Sequence, residues 1–218
     1  MSTEIETQAT PTLPKIGDPA PQFTAKTTQG EVSLSDYKGK WVLLFSHPAD
    51  FTPVCTTEFI AFAKQNDEFA KRDVQLLGLS IDSLPAHLAW VNNIREKMGV
   101  EVPFPVIADL STAVAQKYGM IHPEASETTT VRCVFVIDDK QVIRAIIYYP
   151  LNVGRNIDEV LRLVDALQTA DKHAVAAPAN WRPGEEVVEP APQNDAGVKE
   201  RLKENTEGTD WYLKKKKL

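Results

Sequence analysis

The chain has 218 residues, 43% of them hydrophobic and 25% charged, so it is long enough and apolar enough to bury a core. Its 24 Lys and Arg residues against 30 Asp and Glu residues give a net charge of -6, which disfavours a nucleic-acid binder with its basic surface. Two cysteines and four scattered histidines predict neither a disulfide scaffold nor a metal site, and no apolar run is long enough to cross a membrane.

The amino terminus, residues 1–13, is polar and acidic, which predicts a flexible tail. It lacks the basic start and the apolar stretch of a secretory signal. Since reduced thiols are typical of the cytoplasm, we expect a cytoplasmic protein that binds neither membrane nor nucleic acid.

Strands and helices alternate along the next 160 or so residues. Short apolar runs between turn residues predict strands at residues 23–26, 31–34, 41–46, 74–81, 104–108, 130–137 and 142–149. Helical spacing of apolar residues between cap signals predicts helices at residues 52–71, 84–98, 111–118 and 156–171. This alternation predicts an α/β fold with a central sheet and helices on both faces.

The composition changes after His173, where prolines fall close together and apolar residues lose their period. We expect this stretch to form no core of its own and to lie over another surface, which would also bury Trp181 and Trp211. The predicted organisation is a tail at 1–13, a folded domain at 14–173 and an arm at 174–218.

One segment carries a chemical signal, because it leaves a predicted buried strand and enters a predicted helix. Thr52 suits the N-cap and Pro53 the first helical position. Cys55 then falls in the first turn, where free amides and the positive end of the helix dipole favour a thiolate. The pattern therefore predicts a reactive cysteine.

Cys55 also has a structural interpretation. It lies four residues before Phe59 and seven before Phe62, so it borders the apolar stripe of the same helix. Free cysteines are commonly buried and inert. The local pattern leaves both interpretations open.

Residues 48–55, PADFTPVC, match the Pro-x-x-x-Thr-x-x-Cys signature of the peroxiredoxins. Residues 130–138 (TVRCVFVID) and 154–162 (GRNIDEVLR) resemble later motifs of that family, and residues 181–185 (WRPGE) resemble the arm of its one-cysteine branch. The chain thus resembles the one-cysteine, peroxiredoxin-6-like branch over most of its length. The resemblance implies a thioredoxin-like fold with a mixed sheet and an extended C-terminal arm, and thiol-dependent reduction of hydrogen peroxide and organic hydroperoxides.

The resemblance also implies four catalytic residues. Cys55 would attack the peroxide as a thiolate and become a sulfenic acid, while the Thr52 hydroxyl would bond both thiolate and peroxide. Arg132 would supply fixed positive charge, and Pro48 would shield the sulfur from water and over-oxidation. Taken singly, Arg132 could be an edge residue, Thr52 a cap and Pro48 a turn former.

Three further residues are implied around these four. His47 matches a histidine of the one-cysteine branch and would line the same pocket. Glu58 and Arg155 look like a pair that orients Arg132. The other histidines, His87 among them, have no partner in sequence, so we expect them at the surface or in loops.

Many peroxiredoxins carry a second, resolving cysteine in the C-terminal arm, and this arm has none. The other thiol, Cys133, alternates with Arg132 on a predicted core strand, so we expect it to pack rather than resolve. The resemblance then implies an enzyme without metal or cofactor, whose sulfenic acid is reduced by an external thiol, either small or on a redox protein.

Two questions stay open from the sequence. The same fold could serve as a redox sensor or holdase, whereas a dithiol oxidoreductase would need a Cys-x-x-Cys pair that is absent. The resemblance implies a homodimer or a ring of dimers, with the arm lying across the partner.

Overall fold

A computed structural model of the chain describes residues 13–204 and 210–218. The predicted tail, Leu13 apart, and residues Gly208 and Thr209 of the arm lie outside the described residues. The chain divides into two compact units, Met1–Arg155 and Asn156–Leu218. The domain boundaries expected from the sequence stay a prediction.

The first unit is built on a seven-stranded sheet among the residues described. Its strands, in chain order, are β1 Thr24–Thr27, β2 Gly30–Ser33, β3 Trp41–Ser46, β4 Val74–Ser80, β5 Val106–Ala108, β6 Arg132–Ile137 and β7 Ile143–Tyr149. They lie in the order β2-β1-β5-β4-β3-β6-β7. The pairs β3–β4 and β4–β5 are parallel and the other pairs are antiparallel, so the sheet is mixed.

In the described part of this unit, three α-helices accompany the sheet: α1 Pro53–Ala70, α2 Leu84–Met98 and α3 Ala113–Lys117. The hydroxyl of Ser83 accepts a hydrogen bond from the amide of Ala86 at the start of α2. Gly99 ends α2 with φ +67°, a left-handed conformation that costs glycine nothing. The cap signals therefore define α2 as the sequence predicts.

The central strand β3 is buried on both faces, and its side chains alternate between two layers of core. Phe45 faces α1, with ring centroids 4.1 Å from Phe62 and 5.6 Å from Phe59. Leu44 faces the opposite side, in a cluster with Phe135 and with Tyr118, which follows α3. Helices thus cover both faces of the sheet within this unit, as expected.

The second unit contains α4 Ile157–His173, β8 Val187–Val188, α5 Asp195–Arg201 and β9 Lys215–Lys216. Strands β8 and β9 pair antiparallel. Trp181 packs with Ala166 of α4 and Val187 of β8, and only 2% of it is exposed. The expectation that Trp181 needs a second surface is therefore wrong, because α4 supplies that surface within the same unit.

The predicted strands and long helices are confirmed, with ends that agree or are shifted by one or two residues. The sequence pattern missed α5, β8, β9 and a single 3-10 turn at Leu34–Tyr37, all of which are too short for a period to show. Within the described ranges, none of the helices combines the length and apolar character that a membrane span requires.

Candidate active site

Strand β3 and helix α1 meet at the loop of residues 47–52, and this junction places the cysteine. Thr52 is extended, with φ -106° and ψ 147°, and Pro53 opens the helix. The Thr52 hydroxyl donates to the carbonyl of Ala49 at 2.9 Å and does not cap the helix amides. The first-turn amides around Cys55 are thus left without a side-chain cap, at the positive end of an 18-residue helix.

The Cys55 sulfur is fully buried and lies beside a guanidinium. Nη1 of Arg132, the first residue of β6, is 3.3 Å from Sγ. The guanidinium is held by the carbonyl of Leu151 at 2.9 and 2.8 Å and by the Glu58 carboxylate at 2.8 Å. Because Arg132 is 3% exposed, the alternative of an edge residue reaching for water is wrong.

Glu58 binds a second arginine as well. Arg155 donates to its carboxylate from the backbone amide and from Nε and Nη2, at 2.8, 2.9 and 2.7 Å. Burial raises the pKa of Glu58, but the charge and hydrogen bonds of Arg155, with the charge of Arg132, outweigh burial and hold that pKa below its usual range. The carboxylate is therefore ionised at neutral pH.

Arg155 also ties two strands together. Its Nη1 donates to the carbonyls of Ser46 and Cys133, at the ends of β3 and β6, at 2.9 Å each. Its guanidinium lies over the rings of Phe45 and Phe62, 5.3 and 5.5 Å from their centroids.

The charges of this cluster do not balance when the thiol is protonated. Two guanidinium groups, of Arg132 and Arg155, surround one carboxylate, and all three are nearly removed from water. A thiolate on Cys55 would supply the second negative charge. A buried cation without a counter-ion is costly, so the arrangement favours an anion at Sγ.

His47 lies in the same loop but belongs to a separate group of side chains. Its Nε2 is 2.8 Å from Asp50, whose other carboxylate oxygen is 2.7 Å from Nδ1 of His87 on α2. Nδ1 of His47 is a buried atom without a hydrogen-bond partner. These three residues offer atoms within 4.8 Å of one another, a donor set that would suit a metal ion, although here the ring nitrogens bond the carboxylate directly.

Burial decides the protonation of His47, whereas hydrogen bonds and charges decide that of Asp50. Burial lowers the pKa of His47 and outweighs the hydrogen bond and charge of Asp50, which raise it. Burial raises the pKa of Asp50, but the hydrogen bonds and charges of His47 and His87 hold it below its usual range. At neutral pH, His47 is therefore neutral with its proton on Nε2, and Asp50 is ionised.

Cys133 is fully buried in the core, as expected. Its sulfur lies 3.1 Å from the Ser46 hydroxyl, and burial raises the pKa of its thiol to about 11. It is therefore a protonated thiol at neutral pH and a weak nucleophile.

The structure brings Cys55, Arg132, Glu58 and Arg155 into one bonded cluster, with Thr52, Pro48 and His47 on the adjoining loop. The sequence interpretation missed Asp50 and was wrong about His87, which is fully buried rather than at the surface. One signal was available, since His87, Trp90 and Ile94 recur at the spacing of one buried helix face.

Known proteins resemble the chain over both units. A model of the AhpC/TSA family matches residues 16–146, and a model described as the C-terminal domain of 1-Cys peroxiredoxin matches residues 166–205. The chain is 58% identical over 222 residues to "Peroxiredoxin 2" of Caldanaerobacter subterraneus subsp. tengcongensis, covering 100% of both chains. It is also 58% identical to a peroxiredoxin of Aquifex aeolicus, covering 94% of this chain and 98% of that one.

Solved structures confirm the fold. A yeast mitochondrial 1-Cys peroxiredoxin, studied for thiol resolving through glutathione and thioredoxin systems, matches with TM-score 0.80 and 42% identity over 94% of this chain and 99% of that one. A cysteine-to-serine mutant of peroxiredoxin 6 of Arenicola marina matches with TM-score 0.81 and 34% identity over 93% and 97%. The expected thioredoxin-like architecture with a mixed sheet is thereby confirmed.

Proposed function

The chain belongs to the AhpC/TSA family and is a thiol peroxidase, and from that premise we propose that it is a one-cysteine peroxiredoxin whose reacting atom is Sγ of Cys55. The observation that carries the proposal is the 3.3 Å contact between this sulfur and Nη1 of Arg132. It puts a fixed positive charge where a thiolate must form and where peroxide oxygens would gain charge.

The reaction transfers two electrons from sulfur to oxygen. The Cys55 thiolate attacks one peroxide oxygen, so an S–O bond forms as the O–O bond breaks. The leaving oxygen takes a proton and departs as water from hydrogen peroxide, or as an alcohol from an organic hydroperoxide. Cys55 is left as a sulfenic acid.

Thr52 and Pro48 complete the surroundings of the sulfur in this proposal. Thr52 precedes Cys55 by one helical turn, and its hydroxyl proton is already given to Ala49, so the hydroxyl oxygen remains as an acceptor for a peroxide O–H. Pro48 carries no amide donor, and it is half-buried in the same loop. It limits the approach of water to the sulfur.

Glu58 and Arg155 act by holding Arg132. The Glu58 oxygen that accepts from Nη1 of Arg132 also accepts from Nη2 of Arg155. The Leu151 carbonyl takes the opposite side of the Arg132 guanidinium. The plane of the guanidinium is thus fixed before peroxide arrives, which is how preorganised charge lowers a barrier.

The sulfenic acid is returned to the thiol by an external thiol. One reductant molecule condenses with it to release water and form a mixed disulfide, and a second thiol breaks that disulfide. The raised pKa of the Cys133 thiol, which keeps it protonated at neutral pH, supports the proposal that Cys133 is not the resolving partner. A glutathione-type thiol or a thioredoxin-type protein has the required chemistry, and both systems are named for the related yeast protein.

Assembly and location belong to the same proposal. Tyr212, Leu213 and Leu218 are large apolar residues exposed near the C-terminus. They fit an arm that contacts a second copy in a homodimer or a ring of dimers. The cytoplasmic location stays a prediction, and it agrees with the need for a reducing thiol pool.

The test is single-turnover oxidation. The reduced protein is mixed with equimolar hydrogen peroxide, and loss of thiol is followed in the native chain and in Cys55→Ser and Cys133→Ser. We expect fast oxidation in the native chain and in Cys133→Ser, and none in Cys55→Ser. Oxidation of the native chain no faster than that of a free small thiol would overturn the proposal.

A further inference from the structure

The loop that precedes Cys55 contains a buried carboxylate, that of Asp50, which bonds one side chain of the loop and one of α2. Oδ1 of Asp50 bonds the ring of His47, and Oδ2 bonds the ring of His87, which belongs to α2 and lies 37 residues away. His47 and His87 are fully buried, and the Asp50 side chain is 3% exposed. These bonds are therefore protected from competition by water.

His87 is itself anchored on its other side. Its Nε2 lies 3.1 Å from the carbonyl of Ile107 in β5. Both ring nitrogens of His87 are therefore engaged, Nδ1 by the Asp50 carboxylate and Nε2 by the Ile107 carbonyl. Asp50 thus connects the loop to α2, and through His87 to the sheet.

The backbone of Asp50 is held as well. Its amide donates to Asp82 at 3.0 Å, and the same Asp82 oxygen accepts from the Ser80 hydroxyl at 2.7 Å. The carbonyl of His47 accepts from the Thr130 hydroxyl at 2.7 Å. The loop is therefore positioned by β4 and by a residue shortly before β6 in addition to α2.

The residue after Asp50 shows why such anchoring is required. Phe51 has φ +55°, a left-handed conformation that is unfavourable for a bulky side chain, and it is 57% exposed. Its own ring packing therefore contributes little to hold it. A strained residue persists only where its neighbours determine its position, and here those are Asp50 before it and the helix start after Thr52.

We infer that Asp50 and His87 are positioning residues for the peroxide reaction: together they hold the loop so that Thr52 and Pro48 are aligned on the Cys55 sulfur. Thr52 and Pro48 each lie two positions from Asp50, so a shift of the Asp50 carboxylate moves both. The inference rests on the proposed function of Cys55 and adds two residues that do not touch the reacting atoms.

The test compares Asp50→Asn and His87→Gln with two control variants. Asp109→Asn removes another buried carboxylate, which bonds the amides at the start of α3, and His122→Gln removes another ring that faces a carbonyl. The rate constant of Cys55 oxidation by hydrogen peroxide is measured well below each melting temperature. We expect losses of about 10- to 100-fold in the first two, since an error of about 1 Å in alignment has that effect. We expect changes of less than about threefold in the controls.

Two double variants separate positioning from general loss of structure. Asp50→Asn combined with His87→Gln should lose hardly more rate than Asp50→Asn, because the two residues act as one unit. Asp50→Asn should also cost less rate in a Thr52→Val background, because its effect passes through Thr52. Additive losses in both pairs, or native rates in both single variants, would overturn the inference.

A different result would contradict the proposed function itself. If Cys55→Ser were oxidised as fast as the native chain, Cys55 would not be the reacting group and the proposed function would be lost. If Cys55→Ser were inert while Asp50→Asn and His87→Gln reacted at native rates, only the positioning role would be lost.

Discussion

Replacing Glu58 by glutamine tests whether the two buried arginines depend on one carboxylate. The carboxylate receives one hydrogen bond from Arg132 and three from Arg155, and the side chain is 2% exposed. The glutamine amide keeps one acceptor oxygen but turns an N–H donor group toward a guanidinium. Two buried cations then remain without their carboxylate.

The expected loss of stability follows from these two buried cations. Removing one partner of a buried ion pair costs about 3–5 kcal/mol, because the remaining charge stays away from water. For a chain of this size each kcal/mol lowers the melting temperature by about 2–4 °C, so the shift should lie at roughly 6–20 °C. Because Glu58 also holds Arg132, the rate of Cys55 oxidation should fall by about tenfold or more.

The assay pairs thermal unfolding, followed by circular dichroism, with single-turnover oxidation below the melting temperature. Glu68→Gln is the matched control, since Glu68 lies on the same helix α1 and also bonds two cations, Lys71 and Arg72. Its side chain is 45% exposed, and solvent screens such pairs. The control should leave the melting temperature and the rate nearly unchanged.

Equal melting temperatures of Glu58→Gln and Glu68→Gln would refute this prediction. If Glu58→Gln lowered the melting temperature no more than Glu68→Gln did, the buried cluster would contribute no more than a surface pair. Loss of stability with an unchanged oxidation rate would refute a narrower point, the role of Glu58 in orienting Arg132.

Three further predictions concern pH and assembly. Burial lowers the pKa of His47 below its ordinary value of 6.5, so on acidification the unfolded chain binds a proton at this residue before the folded chain does. The free energy of unfolding should therefore fall as pH drops below about 6.5. Urea denaturation at several pH values should show a weaker dependence of this free energy on pH in His47→Asn, and an equal dependence would contradict the prediction. Burial raises the pKa of the Cys133 thiol to about 11 in the folded chain, so as pH rises the unfolded chain loses the thiol proton first. The free energy of unfolding should therefore fall between about pH 9 and 11, and it should fall less steeply in Cys133→Ser. A chain ending at residue 173 should be monomeric in light scattering, whereas an unchanged mass would count against a dimer-contacting arm.

Local signals were sufficient for the parts of the fold that depend on short stretches of chain. The apolar run at residues 41–46 identified the buried strand β3, and Ser83 with Gly99 marked the ends of α2. The order of Thr52, Pro53 and Cys55 along the chain was enough to place the thiol in the first turn of α1, because a cap and a first-position proline fix where a helix begins.

Contacts between residues far apart in the sequence could not be predicted from local sequence patterns. His87 meets Asp50 only because α2 passes the loop, and no spacing within either segment shows this. Thr52 was expected to cap α1, but the nearby carbonyl of Ala49 competes for its hydroxyl. Trp181 was assigned to an external surface because its partner Ala166 lies on a helix that ends eight residues earlier.

The late position of Arg155 in the chain determines when the charged cluster can form during synthesis. Arg155 lies 97 residues after Glu58 and 109 after Ser46, its two earliest hydrogen-bond partners. Ribosomes add about 5–20 residues per second, so Glu58 exists for roughly 5–20 s before its main counter-ion is synthesised. During that interval the nascent thiol lacks the charged cluster that the proposed function requires. On the proposed function, fast reaction with peroxide should therefore arise only once synthesis has passed residue 155, and an unfinished chain should react more slowly.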